Sequence, residues 1–361
     1  MFYSEITKII EAGLDRDKDK VKNYSILLAK KLMENGDEKA SKRIETVLSR
    51  KNYGSAITDA LIAPPVDQES RLGIVDIDYS PIAPDIILSD HVKKRLDDFE
   101  NTVKIKDKLD ELGMPFNMSL LLYGPPGCGK TSIANYIANK FELPLVTARL
   151  DTLISSLLGN TAKNLRRIFE FAEKQPCVLF LDEFDAIAKA RDDRHELGEL
   201  KRVVNSLLQN MDAYCSNGIL IAATNHQELL DDAIWRRFQT VIDIPKPSCN
   251  EIDEMIRATA SPLDLNGIRK KYYYTIVDQL EGFSYSEIQN LIQNVVKHKI
   301  IEDNMIATEC DFLHEIISFK YHGNLTDSLL IKYLLECGIP QKTIADNLQI
   351  SVRQVRNEIS D

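Results

Sequence analysis

Hydrophobic positions along the chain change their spacing from region to region, and the changes divide it. Up to residue 53 they step by three and four: Val21, Tyr24, Leu28 and Leu32 form one stripe, and Ala40, Ile44, Val47 and Leu48 another. Asn35-Gly36-Asp37 separates the two stripes, and an earlier helix from Ser4 to about Gly13 completes a predicted N-terminal domain of three helices over 1–53. Such a unit serves either for docking or for packing. Over 54–88, Pro64, Pro65, Pro81 and Pro84 interrupt short apolar pieces, which disfavours a long helix and predicts a linker. From Ser89, the series Val92, Leu96, Phe99, Val103 and Leu109 predicts a helix ending before Gly113 and Pro115.

The spacing then alters. Apolar strand candidates at 119–123, 144–147, 177–181, 219–223 and 240–244 alternate with helical periodicity. Strands apolar on both faces are covered by helices on both sides, so 89–247 predicts an α/β fold with a doubly wound parallel sheet. After Pro247 the strand pattern stops, and 248–319 reads as a helical lid. The segment 324–361 is helical again. It has a first helix, a Gly338-Ile339-Pro340 turn, a second helix carrying Ile344, Ala345 and Leu348, and a last helix capped by Ser351, an arrangement similar to a helix-turn-helix.

The chemistry is concentrated in the strand region. Leu120 to Thr131, LLLYGPPGCGKT, is a buried strand that breaks into a glycine-rich loop, and Thr131 opens the helical pattern Ile133, Ala134, Ile137, Ala138. A chance match to this loop pattern arises in roughly one chain in a hundred of this length, and the strand-loop-helix context makes chance rarer. Gly124, Gly127 and Gly129 allow backbone N–H groups to turn inward, and the helix start adds orphan donors and a positive dipole end. The predicted nucleotide-binding set is Gly124, Pro125, Pro126, Gly127, Cys128, Gly129, Lys130, Thr131 and Ser132. Lys130 would reach the β- and γ-phosphates of ATP, and the Thr131 hydroxyl would hold Mg²⁺.

Cys177 to Glu183, CVLFLDE, is a second apolar strand, ending in two carboxylates that alternate in direction. Asp182 suits the Mg²⁺ shell, and Glu183 suits polarisation of the water that attacks the γ-phosphate. Ile219 to Asn225, ILIAATN, ends in an asparagine that either holds the attacking water or closes an Asx turn. In LDDAIWRRFQ, Arg236 and Arg237 end a short helix. They complement the helix dipole or reach a neighbouring subunit's γ-phosphate, where an arginine supplied in trans contributes about 10³ to 10⁵ in rate.

With these residues in view, 86–319 resembles the AAA branch of the P-loop ATPases, of the katanin and spastin type with RRF in place of a glycine between the arginines. GPPGCGKT is similar to that family's Walker A, FLDEFDAIAKAR to its Walker B segment, AATN to its sensor 1 and DDAIWRRF to its arginine-finger segment; LKRVVNSLLQNMDAY also follows its pattern. The resemblance implies a homo-oligomeric ring, usually a hexamer, with ATP at each subunit interface, Arg236 and Arg237 acting in trans, and a lid whose Gly282-Phe283-Ser284 start lies near the adenine. Two positions depart from it: Leu157 stands where the family places an aromatic pore-loop residue, and Tyr285-Ser286 replace Gly-Ala beside the nucleotide.

Composition narrows the remaining choices. With 361 residues, 44% hydrophobic and 28% charged, the chain has the make-up of a soluble globular protein of two or three domains. A net charge of −10 argues against nucleic-acid binding by bulk electrostatics, and the 324–361 segment is itself not basic. Six scattered cysteines form no C-x-x-C pair, which excludes a cysteine metal site and a disulfide framework; Cys128 in the loop is either a small residue or a redox switch. No signal peptide and no apolar run long enough to span a bilayer is found, so a cytoplasmic location is expected. The expected function is a ring-forming ATPase that remodels a protein substrate, with a subtilisin-like protease or defence system as partner. The alternatives are a DNA-acting ATPase switch built on the C-terminal segment and a slow-turnover scaffold.

Overall fold

Each of the five apolar runs is a strand, and a sixth, shorter strand joins them at an edge. They are β1 (Asp76–Asp78), β2 (Ser119–Tyr123), β3 (Leu145–Arg149), β4 (Val178–Asp182), β5 (Ile219–Thr224) and β6 (Thr240–Asp243). The sheet order is β1-β3-β4-β5-β2-β6, with every neighbouring pair parallel except β1 against β3. β1 lies inside the segment expected to be a linker, and its antiparallel pairing makes the sheet mixed where the sequence predicted parallel strands alone. The computed structural model describes residues 64–66, 73–79, 85–114, 116–150, 161–186, 197–215 and 218–360, together with Ser25, Leu28, Ala29 and Leu32, which are helical. Apart from those four positions, the expected N-terminal domain lies outside the described residues, as does Leu157.

Alternation along the strands divides the core in two. Leu121, Leu179, Leu181, Leu220 and Ala222 face one layer, and Leu120, Leu122, Val178, Phe180, Ile219 and Ile221 face the other. The second layer is closed by α1 (Asp90–Lys104), followed by the short α2 (Lys106–Glu111), and by α3 (Lys130–Lys140); the first is closed by α4 (Thr161–Glu173) and α5 (Leu197–Tyr214). Leu120, Leu121 and Leu122 are fully buried, and each such side chain contributes about 1.5–3 kcal/mol relative to exposure. β2 is accordingly an interior strand, paired with β5 on one side and β6 on the other. Since β5 lies between β2 and β4, the phosphate-loop strand and the acidic strand open into one crevice at their carboxyl ends.

Beyond β5 a 3-10 turn (Gln227–Leu229) and a short helix, α6 (Asp232–Trp235), lead to β6. The segment expected to be a lid then follows as α7 (Cys249–Thr259), α8 (Lys270–Leu280), α9 (Tyr285–Ile301) and α10 (Glu309–Lys320), and the chain continues into α11 (Asp327–Glu336), α12 (Gln341–Leu348) and α13 (Val352–Ser360). Ser284 caps α9 through a reciprocal pair with Glu287, and Ser351 and Gln354 do the same at α13. The lid and the last three helices have one continuous core, in which Ile288, Leu291 and Leu313 pack together with Leu330, Ile331, Leu334, Ile344 and Val355.

Candidate active site

The loop after β2 is shaped by contacts on both of its sides. Gly127 has φ +72°, and a Cβ there would overlap Ser286 Oγ and stand 2.7 Å from Ser284 Oγ, so its lack of a side chain is what lets α9 reach the loop. The Ser286 N–H donates to the Gly127 carbonyl at 3.0 Å and fixes that approach. Gly129, at φ +92°, is the N-cap of α3 and supplies no side-chain cap. The first-turn N–H groups of α3 therefore lack intrahelical partners, which together with the dipole makes an anion site. Ile133, Ala134, Ile137 and Ala138 anchor the helix by complete burial.

Lys130 is the first residue of α3 and is itself buried. Its Nζ donates to the Gly124 and Pro125 carbonyls at 2.7 and 2.8 Å, which holds the ammonium across the loop. Burial pulls its pKa down, and Cys128, Asp182 and Asp185 oppose that shift.

At the end of β4 the backbone makes an unusual turn. Glu183 adopts φ +54°, a left-handed conformation that costs a residue with a Cβ about 1–2 kcal/mol. The turn is held from both sides: Asp182 Oδ1 accepts from the Glu183 N–H at 2.9 Å, and the Phe184 N–H donates to the Ala223 carbonyl at 2.8 Å. Phe184 is fully buried edge-on against Phe238. The strain is thus carried by the packing around it and re-aims the Glu183 side chain away from the strand's ordinary alternation.

A pocket of about 360 Å³ gathers Lys130, Thr131, Asp182, Glu183 and Asn225, with Pro126 and Ser132 on its wall. Gly129, Ser132, Tyr285 and Gln289 also border a larger cavity of about 1380 Å³, lined in part by Ile86, Leu88, Met255 and Val296. An anion site joined to a roomier, partly apolar chamber has the form that a nucleoside polyphosphate requires. The Thr131 hydroxyl and the Asp182 carboxylate are hard oxygen donors beside the anion site. Mg²⁺ takes few protein oxygens and completes its shell with water and phosphate, so the donor set fits that ion.

The family profile described as "ATPase family associated with various cellular activities (AAA)" matches residues 120–246, the span from β2 past the end of β6. Residues 120–246 are an AAA ATPase domain. The chain is 44% identical over 208 residues to an uncharacterized AAA family ATPase of Sinorhizobium fredii, an alignment covering 57% of this chain and 61% of the relative. It is 30% identical over 271 residues to a proteasome-activating nucleotidase of Methanopyrus kandleri, covering 72% of this chain and 61% of that one. With proteasome-activating nucleotidase 1 of Haloferax volcanii it shares 34% identity over 209 residues, 54% of this chain and 51% of the relative. The chain therefore spans about half to three fifths of the length of these curated relatives.

Within the AAA domain, Arg236 and Arg237 stand apart from the phosphate pocket of their own chain. Arg237 is half-buried: its Nη1 donates to the Ala233 carbonyl at 2.6 Å, its Nε lies 3.3 Å from Asp212 Oδ1, and its carbonyl accepts from Ser119 Oγ. The Nε approach has ion-pair distance without hydrogen-bond alignment. Arg236 is exposed, and its side chain has no partner among the described residues. Cys128 is 2% exposed, and burial raises its thiol pKa against the pull of Lys130, the setting of a packed small residue rather than of a reactive thiolate.

One residue of the site was not foreseen. Asp185 is buried and accepts from Thr224 Oγ1 at 3.1 Å, while the His226 N–H donates to the same oxygen at 3.0 Å. This relay ties the turn after β4 to the end of β5 on both sides of Asn225. Its signal was an acid two places beyond Glu183 in an apolar stretch, a position that a solvated loop would not bury.

Proposed function

We propose that this chain hydrolyses ATP as one subunit of a homo-oligomeric ring, a hexamer by the resemblance, and uses the cycle to remodel a protein substrate. The observation that carries the reading is the convergence of Lys130, Thr131, Asp182, Glu183 and Asn225 on one pocket from three adjacent strands. The α3 start and Lys130 bind the phosphates, and Thr131 with Asp182 would hold Mg²⁺, which supplies charge neutralisation when bound. Glu183 takes the proton of the attacking water, and Asn225 orients that water from the other side. Arg236 completes a neighbour's site in trans, while Arg237, tied to Ala233 and Asp212, braces the helix end that presents it.

Remodelling of a polypeptide is supported by relatives named proteasome-activating nucleotidase. A partner protease accords with those names. A cytoplasmic location accords with six free cysteines and with the absence, among the described residues, of a helix long and apolar enough to cross a membrane. Phosphate release and ATP retention by Glu183→Gln test the chemistry: turnover is expected to fall by about 10²- to 10⁴-fold with binding kept. Unchanged turnover would overturn the assignment of the base. Mixing Lys130→Ala with Arg236→Ala subunits should restore part of the activity at mixed interfaces, and absence of rescue at every ratio would refute completion in trans.

A further inference from the structure

The last three helices carry chemistry that ATP hydrolysis does not use. α12 and α13 are joined by only Gln349, Ile350 and Ser351, with Gln349 in the left-handed conformation and the Ile350 N–H returning to the Ala345 carbonyl. Ile344, Ala345 and Val355 are buried at this joint against Leu330, Ile331 and Leu334 of α11. That is the build of a helix-turn-helix, in which the second helix of the pair presents its outer face to a groove. Here that face carries Arg353, Gln354, Arg356 and Asn357, all exposed.

Charge gathers on the same side of the lid. α8 opens next to the exposed run Arg269-Lys270-Lys271, and this start abuts the turn between α11 and α12: the Tyr272 hydroxyl donates to the Gly338 carbonyl at 3.3 Å, and Lys271 Nζ is the nearest group to a Cβ built on Gly338. The α12 start that follows has no side-chain cap and carries exposed Lys342; its Gln341 Oε1 accepts from Arg356 Nε at 3.1 Å. The α12 start is therefore flanked by Lys271 on one side and by Arg356 on the other. Residues 269–271 and 338–358 hold six cations, Arg269, Lys270, Lys271, Lys342, Arg353 and Arg356, against two acids, Asp346 and Glu358. In a chain of net charge −10 this is a local reversal of sign.

The chemistry of the face selects the partner. No large hydrophobic side chain is exposed among the described residues after Tyr321, and on the first turns of α8 the exposed Tyr274 lies against the Lys270 ammonium, whereas a protein-docking surface needs a cluster of apolar or aromatic anchors at its centre. Arginine and asparagine side chains instead match the donor and acceptor pattern of base edges, and a helix enters the major groove of B-form DNA but not the deep, narrow groove of duplex RNA. We propose that α12 and α13, with the start of α8, form a binding surface for duplex DNA. Arg353, Arg356 and Asn357 meet base edges, Lys271 and Lys342 meet phosphates, and Gln354 is engaged in capping α13.

The test is binding of the full chain to a fluorescent DNA duplex of mixed sequence, followed by anisotropy between about 50 and 200 mM salt. The wild type should bind with an affinity that falls steeply with salt. Lys271→Ala/Lys342→Ala should weaken binding and reduce the slope of log affinity against log salt by about 2, one unit for each phosphate contact. Arg353→Ala/Arg356→Ala/Asn357→Ala should cost about tenfold or more, and both variants should keep wild-type ATP turnover. No duplex binding by the wild type, variants that bind like the wild type, or equal affinity for duplex RNA would each overturn the proposal. A protein captured through this face in place of DNA would do the same.

Discussion

Glu183 offers a test in which backbone and side chain can be separated. Replacing it with glycine or with alanine removes the same carboxylate, so both variants should lose ATP turnover alike. Their stabilities should differ in an unusual direction. At an ordinary position alanine is the more stable of the two by about 0.4–1 kcal/mol, because glycine has more freedom to lose on folding. At φ +54° the Cβ of alanine carries a strain of about 1–2 kcal/mol that glycine does not. The difference should therefore favour glycine by about 0.5–1 kcal/mol, and with an m-value of ~2 kcal/mol/M the urea midpoint should move by about 0.4 M. Trp235, the single tryptophan of the chain, packs edge-on to Tyr123 at the end of β2 and reports unfolding of this domain by fluorescence. An alanine variant as stable as the glycine variant, or more so, would refute the claim that the turn at Glu183 is strained.

Three further outcomes are expected. Gly127→Ala should weaken binding of a fluorescent ATP analogue about tenfold or more, since a Cβ there collides with Ser286 and Ser284, and adding Ser286→Ala should recover part of the loss; equal affinities in all three proteins would dismiss the contact. Asp185→Ala should destabilise the domain by about 1–3 kcal/mol by leaving the Thr224 hydroxyl without its acceptor, and should lower turnover with little change in ATP affinity; a matched loss of affinity would point to a direct role instead. Glu315 holds the His314 pKa up, and His314 holds the Glu315 pKa down. The histidine's contribution is complete below its ordinary value near 6.5 and lost as pH rises through its higher folded value, so the urea midpoint of the wild type relative to His314→Gln should shrink as pH rises above about 6.5. A constant gap would refute the coupling.

The sheet was legible because its evidence is local: β2, β4 and β5 are buried on both faces and are apolar at nearly every position, and β3 and β6 carry shorter apolar stretches of the same kind. The gathering of Lys130, Thr131, Asp182, Glu183 and Asn225 at one pocket follows from the same pattern, since parallel strands deliver their carboxyl ends to one side. Features that depend on distant partners left little trace. β1 is only Asp-Ile-Asp, and it becomes a strand because β3 offers an edge about seventy residues later. Glu183 gives no sign in its identity of a left-handed backbone, and the burial of Asp185 depends on Thr224 at the end of another strand. The amphipathic stripes of α11 and α12 announce apolar neighbours without saying whose, and those neighbours belong to the lid.

That shared core decides what can be inherited or removed as a module. Leu330, Ile331 and Leu334 fill the same interior as Ile288, Leu291 and Leu313. A chain ended before α11 would lose three core aliphatics together. At about 2–5 kcal/mol for each large-to-small loss in a core, that is comparable with the whole stability of a typical domain, about 5–15 kcal/mol. The tail is thus no detachable cargo: recombination that exchanged it would have to bring the lid along, and mutations on either side of the join must drift in step. The same join fixes α13 to α9 and α10 through a single packed interior, so the position of one is set by the position of the other.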